Sequence, residues 1–172
     1  MFPLSNKMRQ NTLITKFNEL RLFTNYKTIE DRVFYNCSSL VEADFSNITS
    51  ATTGTDFYAF NGTKLGIIKL PNITIIPHYS SRIPTSAHLI FCDKVTRIGR
   101  YAFYDRRQYI VIKTETPPSI VSGTSLTIAA SGTLRIYVPD DSVDTYKAST
   151  VFSSVSSYIR AISEYPYPDD LT

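Results

Sequence analysis

A chain of 172 residues with 42% hydrophobic and 19% charged content has the size and balance of one folded domain with a substantial core, which excludes a disordered segment. A net charge of +3 is too small to point to nucleic acid or a membrane surface, and 2 cysteines far apart in sequence give neither a disulfide framework nor a zinc site. With 12 tyrosines, 10 phenylalanines and no tryptophan, the core is expected to rest on aromatic and β-branched residues.

At the N-terminus, "MFPLSNKMRQ" has no apolar stretch followed by a small-residue cleavage site. No segment reaches the roughly 18 apolar residues that span a bilayer, so neither a signal peptide nor membrane insertion is expected in the sequence as given. In "TKFNELRLF", Phe17, Leu20 and Phe23 fall at helical spacing. They predict a short amphipathic helix within an N-terminal segment and cap, residues 1–25.

From residue 26 the sequence repeats. "YKTI" at Tyr26, "ITSA" at Ile48, "ITII" at Ile73 and "VTRI" at Val95 recur at a spacing of 22 to 25 residues, the period of a solenoid of short coils. Ahead of the last three stand Leu40, Ala43 and Phe45; Leu65, Ile68 and Leu70; and Ala87, Ile90 and Cys92. The alternation predicts a short strand in each coil with these residues facing inward. Asn47, Asn72 and Lys94 occupy the turn before each β-branched position, where an asparagine side chain can bond nearby backbone. Phe34 and Phe103, with Phe60 displaced by one position, add an aromatic wedge to each coil. The third coil, "PHYSSRIPTSAHLI", is irregular and lacks a clear wedge.

The solenoid is expected over 26–138 and capping helices with a tail over 139–172. "PDDSVDTY" offers Asp140, Asp141 or Ser142 as a helix N-cap, and Phe152, Val155, Ile159 and Ile162 share one helical face. Such a cap would cover apolar surface and unpaired backbone at the end of a stack. "EYPYPDDLT" reads as a proline-rich extended tail.

Little in the chain suggests catalysis. Hydrolytic or transfer chemistry needs a histidine or carboxylates positioned by partners, and the only histidines are His78 and His88. His88 stands four residues before Cys92, but in a strand that spacing separates the two, so an exposed histidine and a buried thiol are expected. No phosphate loop, nucleophile elbow or metalloprotease signature is present, and no cofactor or metal is expected. Lys94, Arg97, Arg100, Arg106 and Arg107 interleave with Tyr101, Tyr104 and Tyr109, but the repeat distributes them around the coil, so no nucleic-acid partner is expected. The residues between the inward strand positions form the candidate partner-binding face: Glu42, Asp44, Ile67, Lys69, Phe91, Val111, Arg135 and Tyr137. Stacked coils would bring them into rows about 4.8 Å apart.

"TIEDRVFYNCSSLVEADFSN", "KLPNIT" and "VTRIGRYAFYDRRQYIVI" resemble the BspA-type leucine-rich repeat, whose coils read approximately "VTSIGxxAFxxCxxLxxIxLPxx". "KTETPPSI" and "LRIYVPDDSVDTYKASTVFSSVSSYIRAI" are similar to the closing segment of these proteins, with the Val151–Phe152 region where they carry tryptophan. The cysteine of the repeat survives only as Cys37, which marks it as a packing residue. The resemblance implies a mainly β fold with short helices, a leucine-rich-repeat solenoid of about four to five coils with a C-terminal helical cap. It also implies a non-catalytic adhesion or recognition module with a protein or surface glycan as partner. The expected setting is a virion, as a phage tail or fibre component, or the surface of a bacterium such as a gut or oral Bacteroidetes species, and assembly into a homo-oligomer or larger structure fits either. The catalytic alternative is a hydrolase of glycans or peptides built on His78, Arg82 and His88.

Overall fold

The computed structural model describes residues 8–51, 58–78, 84, 87–91, 93–99, 101–102, 109–121 and 134–172. The regular elements of the described residues are mostly strands: β1 Lys16–Phe17, β2 Thr28–Ile29, β3 Glu42–Ala43, β4 Ser50–Ala51, β5 Ile67–Leu70, β6 Ile75–Ile76, β7 His88–Phe91, β8 Arg97–Ile98, β9 Tyr109–Ile112, β10 Ser119–Ile120, β11 Arg135–Val138 and β12 Ile159–Ala161. An α-helix, α1, spans Val143–Ala148. No described helix is long and apolar enough to cross a membrane.

All described pairings are parallel. Odd-numbered strands make up one series, in which β1 pairs with β3 as one sheet and β5, β7, β9 and β11, with β12 added after β11, form a separate five-stranded ladder. Even-numbered strands form the other, as β2–β4 and β6–β8–β10. The chain visits the two alternately up to β11. Strand β1 lies ahead of the 26–138 stretch and β12 beyond it, so parallel pairing extends on both sides of those bounds.

The β-branched rungs behave as the repeat requires. Ile48, Ile73 and Val95 are buried, and in the short strands that come next, Ile29, Ala51, Ile76 and Ile98 turn inward while their neighbours face out. Phe34 and Phe60 are buried and stack with centroids 6.2 Å apart and planes 6° apart, and Phe45 meets both edge-on. Phe103 lies outside the described residues, as do Cys92, Arg82, Arg100, Tyr104, Arg106 and Arg107. Cys37 is buried and its thiol donates to the Met8 carbonyl at 2.9 Å; burial pushes its pKa up.

The turn asparagines tie adjacent coils together. Asn47 Nδ2 donates to the carbonyls of Leu20, Phe23 and Tyr26 at 3.0 to 3.1 Å, and Asn72 Nδ2 donates to the Ser46 carbonyl at 2.7 Å while its Oδ1 accepts from Lys94 Nζ at 2.6 Å. Asn47→Ala would leave the three carbonyls without this donor. It is expected to cost about 1–2 kcal/mol, read as a lower melting midpoint, with Asn47→Asp no better because a carboxylate has no hydrogen to donate.

Three expectations are corrected. First, the alternation changes phase in β7. Leu89 and Phe91, not Ile90, face the main core, and Phe91 is 1% exposed. Ile67 pairs with His88, a shift of 21 residues, whereas Ile75 pairs with Arg97, a shift of 22. A one-residue change exchanges the two faces of a strand. The residue that drops out corresponds to Gly66, which separates Leu65 from β5, while Ala87 directly precedes β7. Second, 17–23 is not an α-helix: Phe17 belongs to β1 and Asn18–Leu22 forms a 3-10 turn that buries Leu20. Third, 152–162 is not one helical face. Phe152 and Val155 are buried at a 3-10 turn, but Ile159 lies in β12 opposite Ile136, and Ile162 packs on the other side of the ladder. The run "SSVSS" is poor in helix formers, and a strand at this place pairs the backbone of β11 that a helix would leave open. The predicted N-cap residues Asp140–Ser142 form a 3-10 turn before α1, and Asp140 Oδ1 accepts from the Ser163 N–H at 3.0 Å.

Candidate recognition face

The phase change gives the odd-strand ladder two rows on its outer side. One runs Ile67, His88, Tyr109, Arg135, and the other Lys69, Ile90, Val111, Tyr137, Arg160. Over the middle of these rows lies the segment after β12. Ile90, Val111, Tyr137 and Tyr165 form a second buried cluster, with Tyr109, Ile162 and Leu171 packed against it. The rings of Tyr109, Tyr137 and Tyr165 meet mostly edge-on at 5.1 to 5.9 Å, an arrangement that sets ring edges against ring faces.

Polar contacts fasten the end of that segment. Lys69 Nζ donates to the Thr172 backbone oxygen at 2.8 Å and Lys113 Nζ to the Leu171 carbonyl at 2.6 Å. His88 Nδ1 lies 3.2 Å from Asp170 Oδ2 and 2.9 Å from the Tyr165 hydroxyl, which donates to the same carboxylate oxygen at 3.0 Å. Burial, reinforced by the Asp170 carboxylate, pushes the Tyr165 hydroxyl well above the ordinary tyrosine value, so it stays protonated and acts as a donor.

Beside the tail the ladder opens. Among the described residues β3 pairs only with β1 and β5 only with β7, and between Val41–Ser46 and Gly66–Pro71 runs a groove of about 700 Å³ that ends against Asp170–Thr172. Its exposed apolar groups are Val41 and Ile67, 47% and 39% accessible. Glu42 is paired with Lys16 at 2.7 Å, and hydrogen bonds from Lys16 and Asn18 hold its carboxyl below the usual range. Asp44 stands 3.7 Å from Arg21.

Of the residues predicted for the face, Glu42, Asp44, Ile67 and Lys69 come together around this groove. Val111 and Tyr137 belong to the same side of the ladder but are buried beneath the tail. Arg135 is half-buried beside Tyr109, its guanidinium donating to the Leu134 carbonyl, and the Phe91 side chain is in the core. His88, Ile90, Lys113, Tyr165 and Asp170 were not predicted. The alternating aromatics of "EYPYP" were the available sign that this tail packs against something.

The expected exposed histidine is instead half-buried, with Tyr109 and Tyr167 rings 5.0 and 4.8 Å away. His78 is on the turn after β6, on the other ladder, so the strands do not bring the two histidines into one constellation. Among the described residues no group of three or more His, Cys, Asp or Glu side chains could hold a metal ion.

Residues 11–122, more than half of the chain, match the family described as BspA type Leucine rich repeat region (6 copies). The chain belongs to the BspA-type leucine-rich repeat family. No curated protein matches it. BspA-type repeats are in general non-catalytic, surface-associated modules suited to protein binding. The match includes β1 to β10 and the groove walls, whereas Lys69, His88 and Lys113 are fastened by a tail beyond its last residue.

Proposed function

We propose that this BspA-type repeat is a solenoid whose outer ladder face recognises a protein partner, without catalysis, and that it serves adhesion or host recognition. A phage tail or fibre is the setting first in view, and a bacterial surface adhesin is the alternative. The observation that carries the reading is the groove between β3 and β5, with Val41 and Ile67 exposed between Lys69 and the ion-paired Glu42. An apolar strip with flanking charges is the composition of a protein-binding patch. Its exposed apolar groups are aliphatic while Phe45 and Phe91 in its lining are buried, which favours a peptide or protein surface over a sugar ring, which stacks on exposed aromatic faces. The same strip on a second copy would support self-association, which sedimentation of the intact chain reads directly.

Incubating the intact chain with protein and glycan arrays tests the proposal. Signals are expected on proteins, and Ile67→Glu is expected to weaken them about tenfold or more by placing a charge on the apolar strip. Glycan-only signals, or protein signals indifferent to Ile67→Glu, would contradict it.

A further inference from the structure

Three cationic or titratable side chains from different parts of one ladder converge on three consecutive residues of the tail. Lys69 in β5 reaches Thr172, His88 in β7 reaches Asp170, and Lys113 just after β9 reaches Leu171. Two of these contacts go to main-chain oxygens, which any peptide offers, and the third goes to a carboxylate, all three in or just after the 3-10 turn Pro168–Leu171. The Leu171 side chain packs on the Ile90, Val111 and Tyr137 cluster, and the Tyr167 ring lies 4.8 Å from His88 and 5.8 Å from Tyr109. The face therefore presents places for an aromatic ring, a carboxylate and an aliphatic side chain at the spacing of Tyr167, Asp170 and Leu171.

The tail is held like a ligand rather than like core. Tyr165 is buried, but Pro166, Tyr167, Pro168 and Asp169 are all exposed, so the chain beyond Tyr165 can leave at the cost of the Leu171 packing while Tyr165 stays against Tyr137. Its end also abuts the groove, which gives an incoming segment an adjacent place to land.

We infer that the outer ladder face is a peptide-binding site for a segment that forms a single 3-10 turn, as Pro168–Leu171 does, and carries an aromatic residue with an acidic and an aliphatic residue three and four positions later, and that residues 167–172 occupy it as an intramolecular ligand. This rests on the reading of the outer face as a recognition surface and names the ligand's chemistry. Because the tail competes, the apparent affinity for a segment in trans is reduced by the fraction of chains whose face is open.

The probe is a fluorescent synthetic peptide of residues 167–172, titrated by anisotropy against the full chain and against the full-length double variant Asp170→Lys, Leu171→Asp. The double variant is expected to bind it about tenfold or more tightly than the parent, and adding Lys69→Glu and Lys113→Glu is expected to abolish the gain. Equal affinity for both chains, or no binding to a double variant that melts with the parent, overturns the inference. Should the double variant fail to fold, amide exchange at Asp170 in the parent, whose N–H donates to the Tyr167 carbonyl at 3.0 Å, decides: saturating peptide should accelerate it, and unchanged exchange overturns the inference. An array partner captured equally by both chains, with no peptide binding, would overturn the inference yet leave the recognition reading standing. Peptide binding with silent arrays would do the reverse.

Discussion

Replacing Phe34 with alanine is expected to lower the unfolding free energy by about 3–5 kcal/mol, among the largest losses available to a single side chain here. Phe34 is fully buried and touches aromatic partners on three sides: Phe60 stacks on it at 6.2 Å, while Phe17 and Phe45 meet it edge-on at 6.2 and 5.9 Å. These partners come from before and after it in the chain, Phe17 in β1 and Phe45 and Phe60 beyond β3, so truncation opens a cavity within the core. The backbone on both sides is pinned, with the Phe34 N–H donating to the Ala59 carbonyl at 2.9 Å and the Asn36 N–H to the Asn61 carbonyl at 2.8 Å, which limits collapse into the void. For a chain of this size the melting midpoint should fall by roughly 6–20 °C. Phe34→Leu, which keeps most of the volume, should recover more than half of the loss. A thermal melt of the three chains checks both statements, and a drop of only a degree or two for Phe34→Ala would contradict them.

Gly99→Ala is the second large expected effect, and its origin is spatial. A β-carbon at Gly99 would stand 2.4 Å from His78 N and 2.7 Å from both His78 Cα and the Pro77 carbonyl carbon. All three are backbone atoms, so no rotamer relieves the contact, and the Gly99 N–H that donates to the Ile76 carbonyl at 2.8 Å would have to move with it. The pairing of β6 with β8 is then strained at its end, at an expected cost of about 2–3 kcal/mol. Gly66→Ala is the internal comparison. Nothing lies within 4 Å of the added atom there, so the change should stay within about 0.5 kcal/mol of the parent. Equal melting midpoints for the two variants would contradict the close approach of the coils at Gly99.

Much of the fold was legible locally. Ile48, Ile73 and Val95 as buried rungs, Phe34 and Phe60 as wedges and Asn47 and Asn72 as turn residues all come from a period that recurs within about 25 residues. A fixed period also produced the error in β7. The shift along the odd-strand ladder falls to 21 there while the other ladder keeps 22, and parity is lost on a single residue. Phe91 was therefore predicted outward and Ile90 inward, the reverse of what forms. The segment after β12 was illegible for another reason. Lys69 meets Thr172 across 103 residues, and no repeat links them. Val111 and Tyr137 were placed on the correct side of their strands, but what covers them depends on that distant contact. At the C-terminal end, the apolar spacing of Phe152, Val155 and Ile159 suits a helix as well as a turn leading into a strand, and the unpaired edge of β11 selects the latter.

The proposed recognition uses the outer side of the odd-strand ladder. Titrating a captured partner against the parent, Ile67→Glu and Arg97→Glu tests it most directly, since Ile67 borders the groove and Arg97 is exposed on β8 of the other ladder. Ile67→Glu should weaken binding by about tenfold or more and Arg97→Glu by less than about twofold, although the second makes the larger change in charge. Loss of binding in Arg97→Glu, with Ile67→Glu at parental affinity, would contradict the claim.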